Sequence, residues 1–169
     1  MSGTGRHSRV MMLAGLLSLQ GFIGPGARGE TREADDLVAQ LSTASIDYDH
    51  LVMTLWPKAV GPVADRLVSI GHKSTPSLLE ALADPVRSIP ANLVLCRIWY
   101  PGRLFSGEEP LYEAGEIIGF RYHVQGLRWT ISGDDGIVAL DRESMMEAVR
   151  TWCRHVPRRF RSEVCKSAV

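Results

Sequence analysis

The segment Pro62–Trp99 restricts the possible folds of this chain most, because Pro and Gly divide it into three short apolar runs. The first run, "PVADRLVSI", ends at Gly71, and Gly is favoured just past the end of a helix. The other two begin at or near Pro76 and Pro90, and Pro suits the first turn of a helix, where its missing N–H costs no hydrogen bond. Apolar residues recur three and four positions apart in the runs. The segment therefore predicts three short helices joined by tight turns.

The first and third runs align without gaps, with Pro62 against Pro90 and Leu67 against Leu95. A self-similarity of about 30 residues is typical of short helical repeats. The joined segment "LVSIGHKSTPSLLEALADPVRSIPANLVLCRI" resembles a HEAT-type repeat. The residues that carry this resemblance are Gly71, Pro76, Leu78, Leu79, Leu82, Asp84 and Pro85.

The resemblance implies a short HEAT-like α-solenoid. In such arrays the second helix of each repeat lines a concave face that binds partner proteins. It therefore implies that Arg66, Arg97 and Trp99 are candidate protein-binding residues. A non-repetitive bundle of similar helices is the alternative architecture.

The flanking segments are less regular. The stretch 30–46 has a helical pattern, and "DYDHLVMTLWP" after it is interpreted as a short helical turn closed by Pro57. The stretch 100–115 is rich in Pro and Gly and predicts a loop. The next stretch, "EIIGFRYHVQG", is compatible with a helix or a strand, because its alternation of apolar residues is interrupted at Ile117.

The C-terminal part has clearer signals. Leu127, Trp129 and Ile131 alternate, and Asp135-Gly136 is a strong turn signal, which together predict a hairpin near 127–140. A closing helix over 141–155 follows, with Asp141 as its N-cap. The expected fold is therefore mainly α, a helical array with a C-terminal β-hairpin and a capping helix, in a single domain at 30–157. The basic tail 158–169 is expected to be disordered.

The N-terminus has the layout of a secretory signal peptide. A short basic stretch precedes the apolar run "VMMLAGLLSLQGFIG", and small residues at Ala27 and Gly29 suggest cleavage after Gly29. The prediction is a signal peptide at 1–29 and export to the periplasm or the extracellular space. The alternatives are a protein anchored in the membrane by an uncleaved N-terminus and a plain N-terminal helix.

Export would place three cysteines, Cys96, Cys153 and Cys165, in an oxidising compartment. The sequence does not decide whether two of them pair or which two. The interpretation favoured here is that all three are structural or unpaired, with Cys96 a buried small hydrophobic residue.

The sequence gives little support for catalysis. Lys and Arg together equal Asp and Glu, so the formal net charge is zero and a nucleic-acid partner is not expected. The histidines and serines fall in no nucleophile motif, Cys153 and His155 lack a second metal-ligand pair, and no phosphate loop or cofactor motif is present. The sequence therefore predicts no catalytic residues, no metal site and no cofactor. Asp134 and Asp135 are interpreted as solvated turn residues.

The function predicted from these observations is an exported, non-enzymatic binding or scaffold protein with an unidentified protein partner. The alternatives are a secreted hydrolase with its site in the C-terminal half and a membrane-tethered structural protein. The basic tail could add contact with an anionic membrane surface or an anionic polymer, because clustered cations bind such surfaces at low salt.

Overall fold

The computed structural model describes residues 25–51, 54–103, 109–132 and 137–168. Within these ranges the chain has a mixed α/β fold with two antiparallel sheets, one of two strands and one of four. The prediction of a mainly α fold is therefore wrong. The HEAT-type resemblance and the α-solenoid that it implied are wrong as well. The local helices were identified correctly and pack against one another, but the last of the three also packs against the two-stranded sheet. The described residues contain no stack of further helical repeats.

The three predicted runs form helices α2 Pro62–Ile70, α3 Thr75–Ala81 and α4 Ser88–Trp99. Leu78, Leu79 and Leu82, the predicted stripe of the second run, are fully buried. The α-helices of the described ranges are α1 Pro25–Val38, α2 Pro62–Ile70, α3 Thr75–Ala81, α4 Ser88–Trp99, α5 Arg142–His155 and α6 Val164–Ser167. Short 3-10 turns lie at Thr43–Ser45, Gly71–Ser74 and Arg158–Phe160.

Strands β1 Ile46–Leu51 and β2 Thr54–Ala59 form an antiparallel hairpin where the sequence was interpreted as a helical turn. The segment contains β-branched and aromatic residues, which suit strands. Pro57 lies within β2, opposite Tyr48. A two-stranded sheet has only edge strands, and an edge strand tolerates the missing N–H of Pro.

The second sheet has the order β3-β4-β5-β6. Its strands are β3 Glu109–Glu113, β4 Glu116–Val124, β5 Leu127–Ser132 and β6 Ile137–Leu140. Strand β4 settles the ambiguity of "EIIGFRYHVQG", and β3 occupies part of the segment that was expected to be a loop. Ala114 and Gly115 both have positive φ, the pattern of a two-residue type I′ hairpin turn. The predicted turn at Asp134–Asp135 lies outside the described residues.

Helix α4 lies at the centre of the core, which explains why it is apolar nearly all round. Its one fully buried amide, Asn92, joins three elements. Asn92 Nδ2 donates to the Val124 carbonyl oxygen over 2.8 Å, and Trp152 Nε1 donates to Asn92 Oδ1 over 2.6 Å. This network fixes α4 against β4 and α5.

The C-terminal segment is ordered and not a disordered tail. A disulfide joins Cys153 of α5 to Cys165 of α6, and both cysteines are buried. Phe160 packs against Trp99, with their ring centroids 5.8 Å apart. The interpretation that all three cysteines are unpaired or merely structural is therefore corrected, and Cys96 remains a buried free thiol. A covalent tie and an aromatic contact give this basic segment the fixed contacts that its composition does not indicate.

The predicted signal sequence falls mostly outside the described residues. The proposed cleavage point after Gly29 lies within α1. No helix in the described part of the chain is long and apolar enough to cross a membrane. Export and the membrane-anchored alternative both stay predictions.

Tyr48 links the β1–β2 hairpin to the larger sheet and gives the fold an expected pH dependence. Its ring lies 5.5 Å from that of Tyr122, which stacks on Trp129. Burial raises the pKa of Tyr48 to about 12, although the facing indole of Trp129 acts in the opposite direction. An unfolded Tyr has a pKa near 10, so this contribution to stability is complete below about pH 10 and is lost as the pH rises through about 12.

We therefore expect stability to fall more steeply between pH 10 and pH 12 in the parent protein than in a Tyr48→Phe variant. Urea unfolding at several pH values would measure this, and absorbance at 295 nm would follow tyrosinate formation. The same pH dependence in both proteins would contradict the assignment to Tyr48.

Candidate binding groove

A groove of about 420 Å³ lies between strand β2, the start of α2 and the last turns of α4. This volume is within the range of small-ligand sites in proteins, which is about 300–1,000 Å³. The side chains used in the argument below are Trp56, Lys58, Asp65, Arg97, Tyr100 and Arg103.

Arg97 builds the wall of the groove by joining three elements. From the last turn of α4, its Nη1 donates to the Ala59 carbonyl oxygen over 2.9 Å and its Nη2 to Asp65 Oδ1 over 2.8 Å. Ala59 ends β2 and Asp65 lies in the first turn of α2. Gly61, with φ of 92°, makes the turn between β2 and α2. A residue with a side chain rarely adopts this conformation.

Cations outnumber carboxylates among the described residues that line the groove. Lys58, Arg97 and Arg103 line it, and Asp65 is the carboxylate among its described lining residues. Lys58 also lies 3.6 Å from Asp47, an exposed pair that stabilises the fold little. The Arg103 guanidinium lies 5.8 Å from the centroid of the Tyr100 ring. Cationic groups beside aromatic surface suit a ligand with both acidic and apolar parts.

The floor of the groove does not supply a nucleophile. It contains Cys96, whose side chain is almost fully buried. Burial raises the pKa of the Cys96 thiol, so that the thiol stays protonated at neutral pH. Because the thiolate is the reactive form of cysteine, Cys96 acts here as a small apolar residue.

Trp56 contributes aromatic surface to the groove. Its indole Nε1 has no hydrogen-bond acceptor among the described residues. By contrast, Trp99 Nε1 donates to Thr75 Oγ1 over 3.2 Å, and the indole of Trp152 is bonded inside the core. The Trp129 Nε1 likewise has no acceptor among the described residues, and both nitrogens are closed to solvent. Trp56 therefore offers a ligand its ring surface and not its N–H.

The structure does not gather the three sequence-derived binding residues at one site. Arg97 lines the groove, but Arg66 and Trp99 do not. Arg66 Nε donates to Glu33 Oε1 over 2.7 Å, which ties α2 to α1, and this bond holds the pKa of Glu33 below its usual value. Trp99 packs against His72 with ring centroids 4.1 Å apart.

Sequence reasoning missed Trp56 and Lys58 because their strand was interpreted as a helical turn. Residues 56 and 58 are two positions apart in β2, so their side chains lie on the same face of the hairpin. An assignment of this segment to a hairpin would have revealed the pair.

A second cavity, of about 300 Å³, lies in the C-terminal half beside Arg121, Arg128 and Asp141. Asp141 caps α5 by accepting from the Glu143 and Ser144 amides, and it accepts from Arg128 Nε over 2.8 Å. The bond from Arg128 lowers the pKa of Asp141. Among the described residues that line this cavity there is no His, Ser or Cys, so no observation there favours the hydrolase alternative.

The described residues also contain no group of three His, Cys, Asp or Glu side chains placed to hold a metal ion. Comparison with protein-family models, curated proteins and solved structures gave no significant match, so function has to be inferred from the residues of the chain itself.

Proposed function

We propose that this protein is an exported, non-enzymatic binding protein that holds an acidic and apolar segment of a partner protein in the groove between β2, α2 and α4. The observation that carries the proposal is the composition of the groove lining, in which three side chains are cationic and one is a carboxylate. Export remains the expectation from the N-terminal sequence.

The donors in the groove suit carboxylate groups. A guanidinium has five N–H donors, and Arg97 uses two of its nitrogens in the bonds to Ala59 and Asp65. Its fork geometry matches a carboxylate better than a lysine ammonium does. An acidic side chain of a partner would therefore meet several donors at once.

The residue types in the groove favour a protein partner over a small molecule. Trp, Tyr and Arg dominate the binding energy of protein interfaces, and the groove contains Trp56, Tyr100, Arg97 and Arg103. Leu93 adds apolar surface from α4. This combination offers an apolar anchor point surrounded by charge, as expected for a short partner segment.

The test uses fluorescein-labelled octapeptides that alternate Glu with Leu, Phe or Val, and matched peptides in which Gln replaces Glu. We expect at least one Glu peptide to bind about tenfold or more tightly than its Gln partner at low salt, a difference of about 1.4 kcal/mol. In ¹H–¹⁵N NMR spectra the indole signal of Trp56 should shift, whereas those of Trp99 and Trp152 should not, because both are bonded inside the fold.

An Arg103→Glu variant should lose about tenfold or more in affinity for the Glu peptide, because it places a carboxylate in the groove lining against the carboxylates of the peptide. Arg32→Glu is the matched control, since Arg32 is an exposed cation on α1 outside the groove lining. No preference for Glu over Gln peptides, or an equal loss in both variants, would contradict the proposal.

A further inference from the structure

Four exposed arginines lie close in sequence, at the end of α5 and in the 3-10 turn after it: Arg150, Arg154, Arg158 and Arg159. None of them forms an ion pair with a carboxylate of the described residues. Cations elsewhere in the described chain are mostly paired, as in Arg66–Glu33, Arg87–Asp84 and Arg128–Asp141. We call these four residues the arginine face.

The acidic residues nearest in sequence to the arginine face are already paired. Glu147 of α5 accepts from Arg128, and Glu163 accepts from Lys166. The helix dipole accounts for cations in the last turn of α5, such as Arg154. It does not account for Arg158 and Arg159, which lie beyond the helix end. The clustering therefore has no explanation in the ion pairs of the fold.

The backbone that carries the arginine face is fixed. The disulfide between Cys153 and Cys165 encloses three of the four arginines. Arg154 Nε donates to the Arg150 carbonyl oxygen over 3.2 Å, which holds the side chain along the helix. The Arg159 guanidinium lies 4.9 Å from the Phe160 ring. A preorganised cluster loses less conformational entropy on binding than a flexible tail does.

We infer that the arginine face binds an acidic polysaccharide through the polymer's sulfate or carboxylate groups. Guanidinium groups bind such oxyanions in a bidentate manner, and several in succession match a polymer with repeated charges. This inference is independent of the groove, because the two sites share no residue.

Other polyanions fit the arginine face less well. Single-stranded nucleic acids stack their bases on aromatic side chains, but Phe160 is partly buried against Trp99 and His72. The ring of His155 already contacts that of Tyr100, with ring centroids 5.4 Å apart. Interfacial membrane binding usually adds apolar insertion to charge. The large apolar side chains that are exposed in the described chain, Val86, Tyr112, Ile117 and Ile118, all lie outside 142–168.

The test measures binding to heparin and to alginate by calorimetry at several salt concentrations. Duplex DNA and vesicles containing phosphatidylserine are the competing probes at the same ionic strength. We expect heparin or alginate to bind most tightly, with an affinity that falls linearly on a logarithmic salt scale as for other polyanions. A quadruple variant should lose about tenfold or more in affinity, since the four charges act on one ligand. The substitutions in this variant are Arg150→Gln, Arg154→Gln, Arg158→Gln and Arg159→Gln.

The control is a second quadruple variant with the same change in net charge, Arg32→Gln, Arg66→Gln, Lys73→Gln and Arg121→Gln. It should retain most of the affinity, because these cations lie on other elements. Circular dichroism would establish that both variants are folded. Equal losses in the two variants, tighter binding to DNA or vesicles than to either polysaccharide, or no binding to either polysaccharide would overturn the inference.

Discussion

Replacing Asn92 by Leu is expected to lower the free energy of unfolding by about 2–4 kcal/mol, because the change removes both partners that Asn92 offers inside the core. The Trp152 indole N–H would lose its acceptor, and the Val124 carbonyl oxygen would lose the donor from α4. Leu has as many side-chain heavy atoms as Asn and is not smaller, so a cavity would not account for the loss. Urea unfolding followed by far-UV circular dichroism would measure it.

A double-mutant cycle with Trp152→Phe separates the hydrogen bond from the packing. Removing both partners of a buried bond leaves fewer unsatisfied groups than removing one. The double variant Asn92→Leu/Trp152→Phe should therefore be more stable than the sum of the single changes predicts. If the effects of the single variants add, or if Asn92→Leu is as stable as the parent, the network does not hold α4 in place.

The helices could be predicted from the sequence because their signals are local. Pro at the start, Gly at the end and apolar residues at helical spacing locate α2, α3 and α4. Asp141 accepts from two amides at the start of α5, as its position before an amphipathic run predicts. What surrounds these helices is decided by distant contacts. Most of α4 is buried, and such a helix could pack equally well against helices or sheets, which its sequence alone does not distinguish.

The local signals of the β1–β2 hairpin are weaker than those of the helices. Its strands are short, and Pro57 is usually interpreted as the end of an element. The pairing of Tyr48 with Pro57 is permitted only because both strands are edges, a property of the sheet and not of the segment. The misassigned hairpin removed Trp56 and Lys58 from consideration. The HEAT-type resemblance led instead to Arg66 and Trp99, which serve mainly to join elements of the fold.

The resemblance to a HEAT-type repeat shows how a local pattern can mislead about assembly. Gly71, Pro76 and the "LLEAL" run describe a helix, a tight turn and a second helix, and the structure has this arrangement. A solenoid also needs further helices stacked on both sides. Here β2 packs against α4 and the four-stranded sheet packs against α5, so strands occupy the positions where further repeats would lie.

Removing the disulfide by Cys153→Ala and Cys165→Ala is expected to lower the free energy of unfolding by about 2–4 kcal/mol, the typical effect of closing a loop of this length. The two cysteines are separated by 12 positions in sequence. Hydrogen exchange of the amides in 156–168 should accelerate most, because this segment loses its covalent tie to α5. Cys96→Ala is the matched control, since it removes another buried sulfur but leaves the disulfide intact.

Mass spectrometry gives an independent test of this pairing. Alkylation of the protein unfolded in denaturant should add one label without reductant, at Cys96, and three labels after reduction. The native protein should resist labelling, because burial keeps the Cys96 thiol protonated and inaccessible. Three labels without reductant would show that the C-terminal segment is held by packing alone. The ordered backbone beneath the arginine face would then depend on the contact between Phe160 and Trp99 and not on a covalent bond.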